Sequence, residues 1–320
     1  MNHLKNTSPT LSDIKSAAQR IAIYIQQTPV LTSKSLNKQT GAELHFKCEN
    51  FQKMGAFKFR GACNAVFSLS EEESKNGVAT HSSGNHGAAL ALAAKLRKIE
   101  SYIVVPENST PVKLEAVEKY GGKITFCKPT LESRESTLEK VAKKTGAVFI
   151  HPYNDHRIIA GQGTAALELL EEFPELDIIV TPIGGGGLIS GSAIAAKTIN
   201  PNIKIIGAEP EGADDAYQSF KTKKFIPCNN PNTIADGLRA SLGSLTFPII
   251  LKYVSDILTV SENEIISAMK TIRGEMKITI EPSSAVAVAV VIYNTKKFQG
   301  KKVGIILSGG NVDFDSVFNQ

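Results

Sequence analysis

Short β-like runs alternate with helical patterns along nearly the whole chain. The run at 77–81 is followed by a helical pattern at 88–96, 102–105 by 112–120, and 124–127 by 131–145, and a run at 147–151 closes this set. The alternation resumes with helical 164–172, the strand-like run 178–182, helical 188–196 and the run 203–208. It ends with 257–260, helical stretches at 262–276 and 283–293, and an apolar strand at 303–307. Strands separated by helix-length crossovers pair in parallel, because a tight hairpin cannot contain a helix. The chain is therefore predicted to be an α/β protein of parallel sheets wrapped by helices. Its 320 residues suffice for two lobes with separate cores. The polar stretch 70–77 is expected to hinge into a smaller inserted lobe, with the return near 153–156. The predicted division is residues 1–72 and 154–320 for a large domain and 73–153 for a small one.

Ahead of the alternation, Thr10 and Asp13 have capping-box spacing before Ile14, Ala17, Ala18, Ile21, Ala22 and Ile25. That pattern predicts a first helix, ended by Thr28-Pro29. Composition narrows the function. The net charge of +5 is mild, and the basic clusters at 221–224 and 296–302 read as solvated surface without interleaved aromatics, so no nucleic-acid partner is expected. Cys48, Cys63, Cys127 and Cys228 are far apart and form no C-x-x-C pair. This argues against a zinc knuckle or a disulfide framework and suits a reducing compartment. The N-terminus lacks an apolar signal core, and the most apolar run, 285–293, is shorter than the about 20 residues a membrane span needs. A cytoplasmic protein with no membrane association is expected.

Five segments carry chemistry. Met54-Gly55-Ala56-Phe57-Lys58-Phe59-Arg60-Gly61-Ala62 places a lysine at the start of a predicted helix, between two aromatic rings. Desolvation there lowers an amine's pKa and suits it to covalent chemistry with a carbonyl, although a lone lysine at a helix start equally reaches water. In Ile183-Gly184-Gly185-Gly186-Gly187-Leu188 an apolar strand ends in four glycines and a helix begins. Exposed N–H groups and the helix dipole favour a phosphate, and the absence of G-K-[ST] and of G-x-G-x-x-G makes this a cradle of another kind. His81-Ser82-Ser83-Gly84-Asn85-His86-Gly87 offers hydroxyls, an amide and N–H groups at a helix N-terminus, suited to a carboxylate or to plain capping. Leu307-Ser308-Gly309-Gly310-Asn311 is a third glycine-bearing strand end, and such ends share one pocket in doubly wound sheets. Glu209-Pro210-Glu211-Gly212-Ala213-Asp214-Asp215 offers oxygen ligands to Mg²⁺ or Ca²⁺, or is a solvated acidic loop.

Together with Ala160-Gly161-Gln162-Gly163-Thr164 and Ala235-Asp236-Gly237-Leu238, these segments resemble the fold-type II pyridoxal-phosphate enzymes, of tryptophan synthase β-like architecture. Within that class the chain resembles the serine racemase and serine/threonine dehydratase family from about Ala18 to Asp313. The resemblance implies that Lys58 carries pyridoxal 5'-phosphate covalently. It implies that Gly184, Gly185, Gly186, Gly187 and Leu188 hold the phosphate, that Asn85 meets the ring hydroxyl, and that Ser308 faces the pyridine nitrogen. Ser82, Ser83, Asn85 and His86 would receive the substrate carboxylate. Glu209, the Ala213 carbonyl and Asp215 look like the family's site for Mg²⁺, with Ca²⁺ or Mn²⁺ as alternatives. A homodimer acting on L-serine, L-threonine or 3-hydroxyaspartate is the family expectation.

A hydroxyl opposite the pyridine nitrogen gives a weaker electron sink than a carboxylate, which favours rapid β-elimination or reprotonation over transamination. Lys58 is the natural base on one face of the substrate. Racemisation needs a second group on the other face, and Ser83 occupies the position that supplies it in the racemases this chain resembles. Gly237 to Gly243 also looks like serine racemases, whereas Ala56-Phe57 before Lys58 is closer to hydroxyaspartate-type relatives. Serine racemisation with serine/threonine dehydration is the leading reading. A threonine or 3-hydroxyaspartate ammonia-lyase without significant racemisation is the alternative inside the class, and a non-catalytic amino-acid-binding protein the alternative outside it.

Overall fold

A computed structural model of the chain describes residues 7–82, 84–109 and 111–313 and builds them into two sheets. The strands are β1 (Val30–Leu31), β2 (Glu43–Cys48), β3 (Val78–His81), β4 (Ser101–Pro106), β5 (Lys123–Cys127), β6 (Val148–Phe149), β7 (Ile178–Pro182), β8 (Lys204–Pro210), β9 (Asp256–Val260) and β10 (Lys302–Leu307). One sheet has the order β1-β2-β10-β7-β8-β9 and the other β5-β4-β3-β6. Every pairing is parallel except that of the short edge strand β1 with β2. The α/β class and the parallel sheets are thus as the alternation predicts.

Side-chain period explains how the larger sheet fills two cores. Ile178, Val180, Ala208, Val303, Ile305 and Leu307 point to one face, where they meet the helices Pro282–Tyr293 and Glu262–Met276. Ile179, Ile205, Ile257 and Ile306 point to the other, against the helices Leu11–Ile21, His156–Glu172, Gly187–Ile199 and Thr246–Tyr253. The four-stranded sheet, formed within residues 78–149, has its own pair of faces. Val78, Ile103 and Val105 face the helices Lys58–Phe67 and Asn85–Arg97, while Ala79 and Val104 face Leu131–Thr145. The helix that begins at Lys58 therefore packs one flank on the smaller sheet's core and the other on helix 156–172, bridging the two parts.

Local sequence sets the helix ends. Thr10 and Asp13 form the capping box expected of the first helix, but that helix ends at Ile21, well before Thr28. Residues 71–74 of the polar stretch form a helical turn with a Ser70–Glu73 capping box. The helix expected at 164–172 starts at His156, capped by Asp155. The expected strand at 147–151 is reduced to two residues, and the chain that follows turns toward Lys58. No helix among the described residues is long and apolar enough to cross a membrane.

Because the strands of the larger sheet run parallel, their carboxyl ends deliver their loops to one edge. β10 lies between β2, which leads to Lys58, and β7, which leads to the four glycines, so Ser308 emerges between them. β8, next beyond β7, delivers the acidic turn.

Candidate active site

The lysine segment is fastened to the Ser308 turn by backbone. Phe57 N donates to Ser308 O at 3.0 Å, Gly310 N donates to Gly55 O at 2.9 Å, and Ala56 bridges Gly309. Gly55 sits at φ +75°, in the left-handed region, with the Asn311 side chain against it. Lys58 Nζ donates to the carbonyl of Pro152 at 3.1 Å and lies 5.1 Å from the Phe57 ring centroid. Part of Lys58 remains open to the cleft, yet the protein atoms around its ammonium desolvate it. Burial lowers its pKa from 10.5 to about 8, against the opposing pull of the Glu281 carboxylate. A lysine so placed has a usable fraction of neutral amine near neutral pH.

Each of the four glycines has a steric reason. A Cβ on Gly184 would lie 2.9 Å from Leu238 Cα, and one on Gly185 would meet Tyr153 ring atoms at 2.3 Å. Gly186 is left-handed at φ +86° and abuts Thr246, and a Cβ on Gly187 would stand 3.0 Å from Tyr153 Cβ. Thr246 Oγ1 donates to Gly185 O at 2.8 Å and accepts from Gly243 N at 2.8 Å, which fixes the cradle's shape. The first bond of the following helix runs from Ser190 N to Gly186 O, so the N–H groups of Gly187, Leu188 and Ile189 at its N-terminus have no intrahelical acceptor. Glycine-lined N–H donors at a helix start fit a phosphate, and the Pro152-Tyr153 turn holds Lys58 on one side and the cradle on the other. These residues fit a cofactor that carries an aldehyde at one end and a phosphate at the other.

From the smaller sheet, Asn85 Nδ2 donates to both Glu281 oxygens at 3.0 Å, and Asn85 Oδ1 accepts from Asn311 Nδ2 at 2.9 Å. This ties the start of helix 85–97 to the Ser308 turn. His86 is buried, its Nε2 lying 3.4 Å from Ile150 O, and burial followed by Lys58 holds its pKa well below the usual value. It is a neutral imidazole. His81 and His151 are likewise held at about 4, burial being the main cause. Ser82 Oγ accepts from Gly84 N at 3.3 Å, and Ser83 lies outside the described residues. Ser308, at 2 % exposure, completes the group.

The acidic turn forms a separate cluster. Glu209, fully buried, accepts from Ala216 N at 3.1 Å and Tyr217 N at 2.6 Å. Asp215 is also buried, and among the described residues neither of its carboxylate oxygens has a hydrogen-bond partner of good geometry, although the backbone N–H groups of Asp215 and Leu242 stand close enough to lower its pKa. The Cys228 thiol stands near enough to perturb Asp215 without the alignment of a hydrogen bond. Burial pushes Asp215 up to about 6, and burial with the Asp215 charge pushes Glu209 well above the usual carboxylate range. Ala213 closes the one-turn helix between them. Among the described residues no three His, Cys, Asp or Glu side chains converge as a metal site, so any cation here would rest on two carboxylates and main-chain oxygen.

Sequence reasoning missed Glu281 and Thr246. Glu281 precedes a proline at a helix start, a position that reads as a plain helix boundary. Thr246 carries no motif.

Comparison with known proteins accords with this geometry. Residues 21–309 match the family model described as pyridoxal-phosphate dependent enzyme. The chain is 55% identical to a serine racemase of Arabidopsis thaliana, over 100% of this chain and 98% of that one. It is 51% identical to a beta-hydroxyaspartate dehydratase of Paracoccus denitrificans, over 97% and 98% of the two chains. The crystal structure of serine racemase from Dictyostelium discoideum superposes with a TM-score of 0.92 at 53% identity, covering 95% of this chain and 99% of that one. The chain belongs to the pyridoxal-phosphate-dependent enzymes, on the branch that holds racemases and ammonia-lyases.

Proposed function

We propose that this enzyme racemises serine and also dehydrates serine and threonine. The observation that carries the reading is Lys58, desolvated to a pKa of about 8 and placed across the Pro152-Tyr153 turn from a four-glycine phosphate cradle. Bound pyridoxal phosphate would supply the electron sink that lets the Cα–H bond of an amino acid break. Gly184, Gly185, Gly186, Gly187 and Leu188 would hold its phosphate through their N–H groups, Asn85 its ring hydroxyl, and Ser308 its pyridine nitrogen. Ser308 brings a neutral hydroxyl, which keeps the sink weak and favours quick loss of a β-hydroxyl or quick return of the proton.

Lys58, as the neutral amine, takes the Cα proton on its own face. Ser83 returns a proton to the opposite face, which inverts the centre. Ser82, Ser83, Asn85 and neutral His86 receive the substrate carboxylate, and neutral His86 and His151 place no further positive charge beside Lys58. Loss of the β-hydroxyl in place of reprotonation gives the 2-oxo acid and ammonia. The Ala56-Phe57 pair and the similarity to a hydroxyaspartate dehydratase favour 3-hydroxyaspartate elimination as the second reading.

Glu209, Asp215 and the Ala213 carbonyl would suit a divalent cation, Mg²⁺ first, because two buried carboxylates of raised pKa share this interior and, among the described residues, no Lys or Arg pairs with either. The proposed division remains 1–72 with 154–320, and 73–153. A cytoplasmic homodimer completes the reading, the dispersed free cysteines suiting a reducing compartment and the dimer following from the family likeness. The test is to incubate holoenzyme with L-serine and Mg²⁺ and follow D-serine and pyruvate together. D-serine that disappears in Ser83→Ala while pyruvate persists supports two bases on opposite faces. Pyruvate without D-serine from the parent enzyme moves the assignment to an ammonia-lyase.

A further inference from the structure

The segment Ala160-Gly161-Gln162-Gly163-Thr164 places two glycines inside a regular helix, where glycine is less stable than alanine. Their neighbours explain them. A Cβ on Gly161 would lie 2.6 Å from Gly61 Cα and 2.8 Å from Arg60 O. A Cβ on Gly163 would lie 2.9 Å from Gly191 O, and one on Gly191 would lie 2.3 Å from Ile159 O and 2.6 Å from Gly163 N. Residues two apart on an α-helix point about 200° away from each other. Helix 156–172 is therefore gripped from nearly opposite sides, by helix 58–67 at Gly61 and by helix 187–199 at Gly191.

Both grips lie one turn inside a functional helix start. Gly61 follows Lys58 by three residues, and Gly191 follows Gly187 by four. The first grip is reinforced along one stripe of helix 156–172. Asn64 Nδ2 donates to Arg157 O at 2.7 Å, Gly61 N donates to Gln162 Oε1 at 3.2 Å, and Arg60 binds Thr164 at 3.2 Å and Glu168 at 2.6 and 2.8 Å. At Gly161 and Gly191 the nearest neighbours are main chain, so added volume there must move a helix, whereas a methyl on Gly61 meets the Gln162 side chain first and one on Gly163 meets Ile14.

We propose that helix 156–172 is a spacer that sets the separation of Lys58 from the glycine cradle, with Gly161 and Gly163 as positioning residues and Gly61 and Gly191 as their counterparts. The inference rests on the assignment of Lys58 and the cradle made above. It predicts that the two crossings fail differently. A change at Gly191 displaces the phosphate site alone, whereas a change at Gly61 displaces the lysine.

The test titrates apo-protein with pyridoxal 5'-phosphate and, separately, with pyridoxal, which lacks the phosphate. Wild type prefers the phosphate form. Gly191→Ala loses about tenfold to a hundredfold in affinity for the phosphate form while pyridoxal binding is unchanged, so the preference collapses. Gly61→Ala weakens both ligands together, and Gln162→Ala added to it restores part of the loss, because the Gln162 amide is the nearest obstacle at 2.4 Å. Gly274→Ala, whose methyl would meet no atom within 4 Å, changes neither. If Gly191→Ala does not fold, Gly163→Ala with Ile14→Ala serves, since Ile14 Cδ1 is the closest obstacle there at 2.8 Å. A folded variant at Gly191 or Gly163 that keeps the wild-type preference, or loses both ligands equally, overturns the spacer. A wild type with no preference for the phosphate form overturns the cradle assignment itself, and the spacer with it.

Discussion

Two buried charge clusters in this enzyme are built on opposite principles. Around Arg60 every charge is matched. Its guanidinium, fully buried, donates to both oxygens of Glu49 at 2.8 Å and to both oxygens of Glu168, which also accepts from Lys47 Nζ at 2.6 Å. Thr28 caps the group, its hydroxyl on Glu49 at 2.5 Å and its carbonyl on Lys47 at 2.7 Å. Burial alone would lower the Arg60 pKa, but Glu49 and Glu168 raise it overall. Two cations face two anions, and the cluster fastens the lysine helix to helix 156–172. At Glu209 and Asp215, by contrast, two carboxylates share one interior, and among the described residues backbone N–H groups and the Cys228 thiol, not a cation, stand against them. Buried charge persists only when it is paired. A balanced cluster therefore reads as scaffold, and an unbalanced one as a place for a ligand.

The contrast breaks if single substitutions fail to act with opposite sign. The largest effect is expected at the chemistry itself, where Lys58→Ala should lower turnover of L-serine by about a thousandfold or more, measured by pyruvate and D-serine release. Next, Arg60→Ala should destabilise the apo-protein by about 3–5 kcal/mol in urea unfolding, because it strands two buried carboxylates beside one lysine. Asp215→Asn should instead leave the cation-free protein as stable as wild type or more so, since it removes an unmatched charge. Mg²⁺ at a hundredfold excess over its dissociation constant should stabilise wild type by about 2.7 kcal/mol and Asp215→Asn hardly at all. An equal response of both proteins would sever the acidic turn from cation binding.

The smallest effect sharpens the electrostatics of Lys58. Its amine is neutral above its pKa, so labelling of apo-protein by an amine-selective reagent should rise through about pH 8, ahead of ordinary lysines at 10.5. Glu281 raises that pKa, so Glu281→Gln should move the midpoint further down. The matching stability effect has a fixed sign. A lysine whose folded pKa is depressed adds stability above its unfolded value, and that stability is lost as pH falls from 10.5 through about 8. Lys58→Met should flatten this part of the apo-protein's pH–stability curve.

The sheets were legible because buried parallel strands such as β7 are nearly continuous apolar runs ended by glycine. The cradle and the lysine segment were legible because each is contiguous. Helix 156–172 was foreseen only from residue 164, since glycines at 161 and 163 look like breakers until the close approach of Gly61 and Gly191 is known. Helices 34–40, 215–222 and 246–253 were not foreseen, being too short for a clear period. The pairing of Asn85 with Glu281 spans 196 positions, and Lys47, Glu49 and Glu168 look like surface charges in sequence. Such partners are chosen by tertiary geometry, which spacing along the chain does not encode.

The most direct measurement is to reduce the purified holoenzyme with borohydride, digest it, and locate the pyridoxyl-phosphate label by mass spectrometry. The account predicts the label on the peptide that contains Lys58, and its absence from Lys58→Ala prepared in the same way. A label on another lysine of the parent enzyme would contradict it.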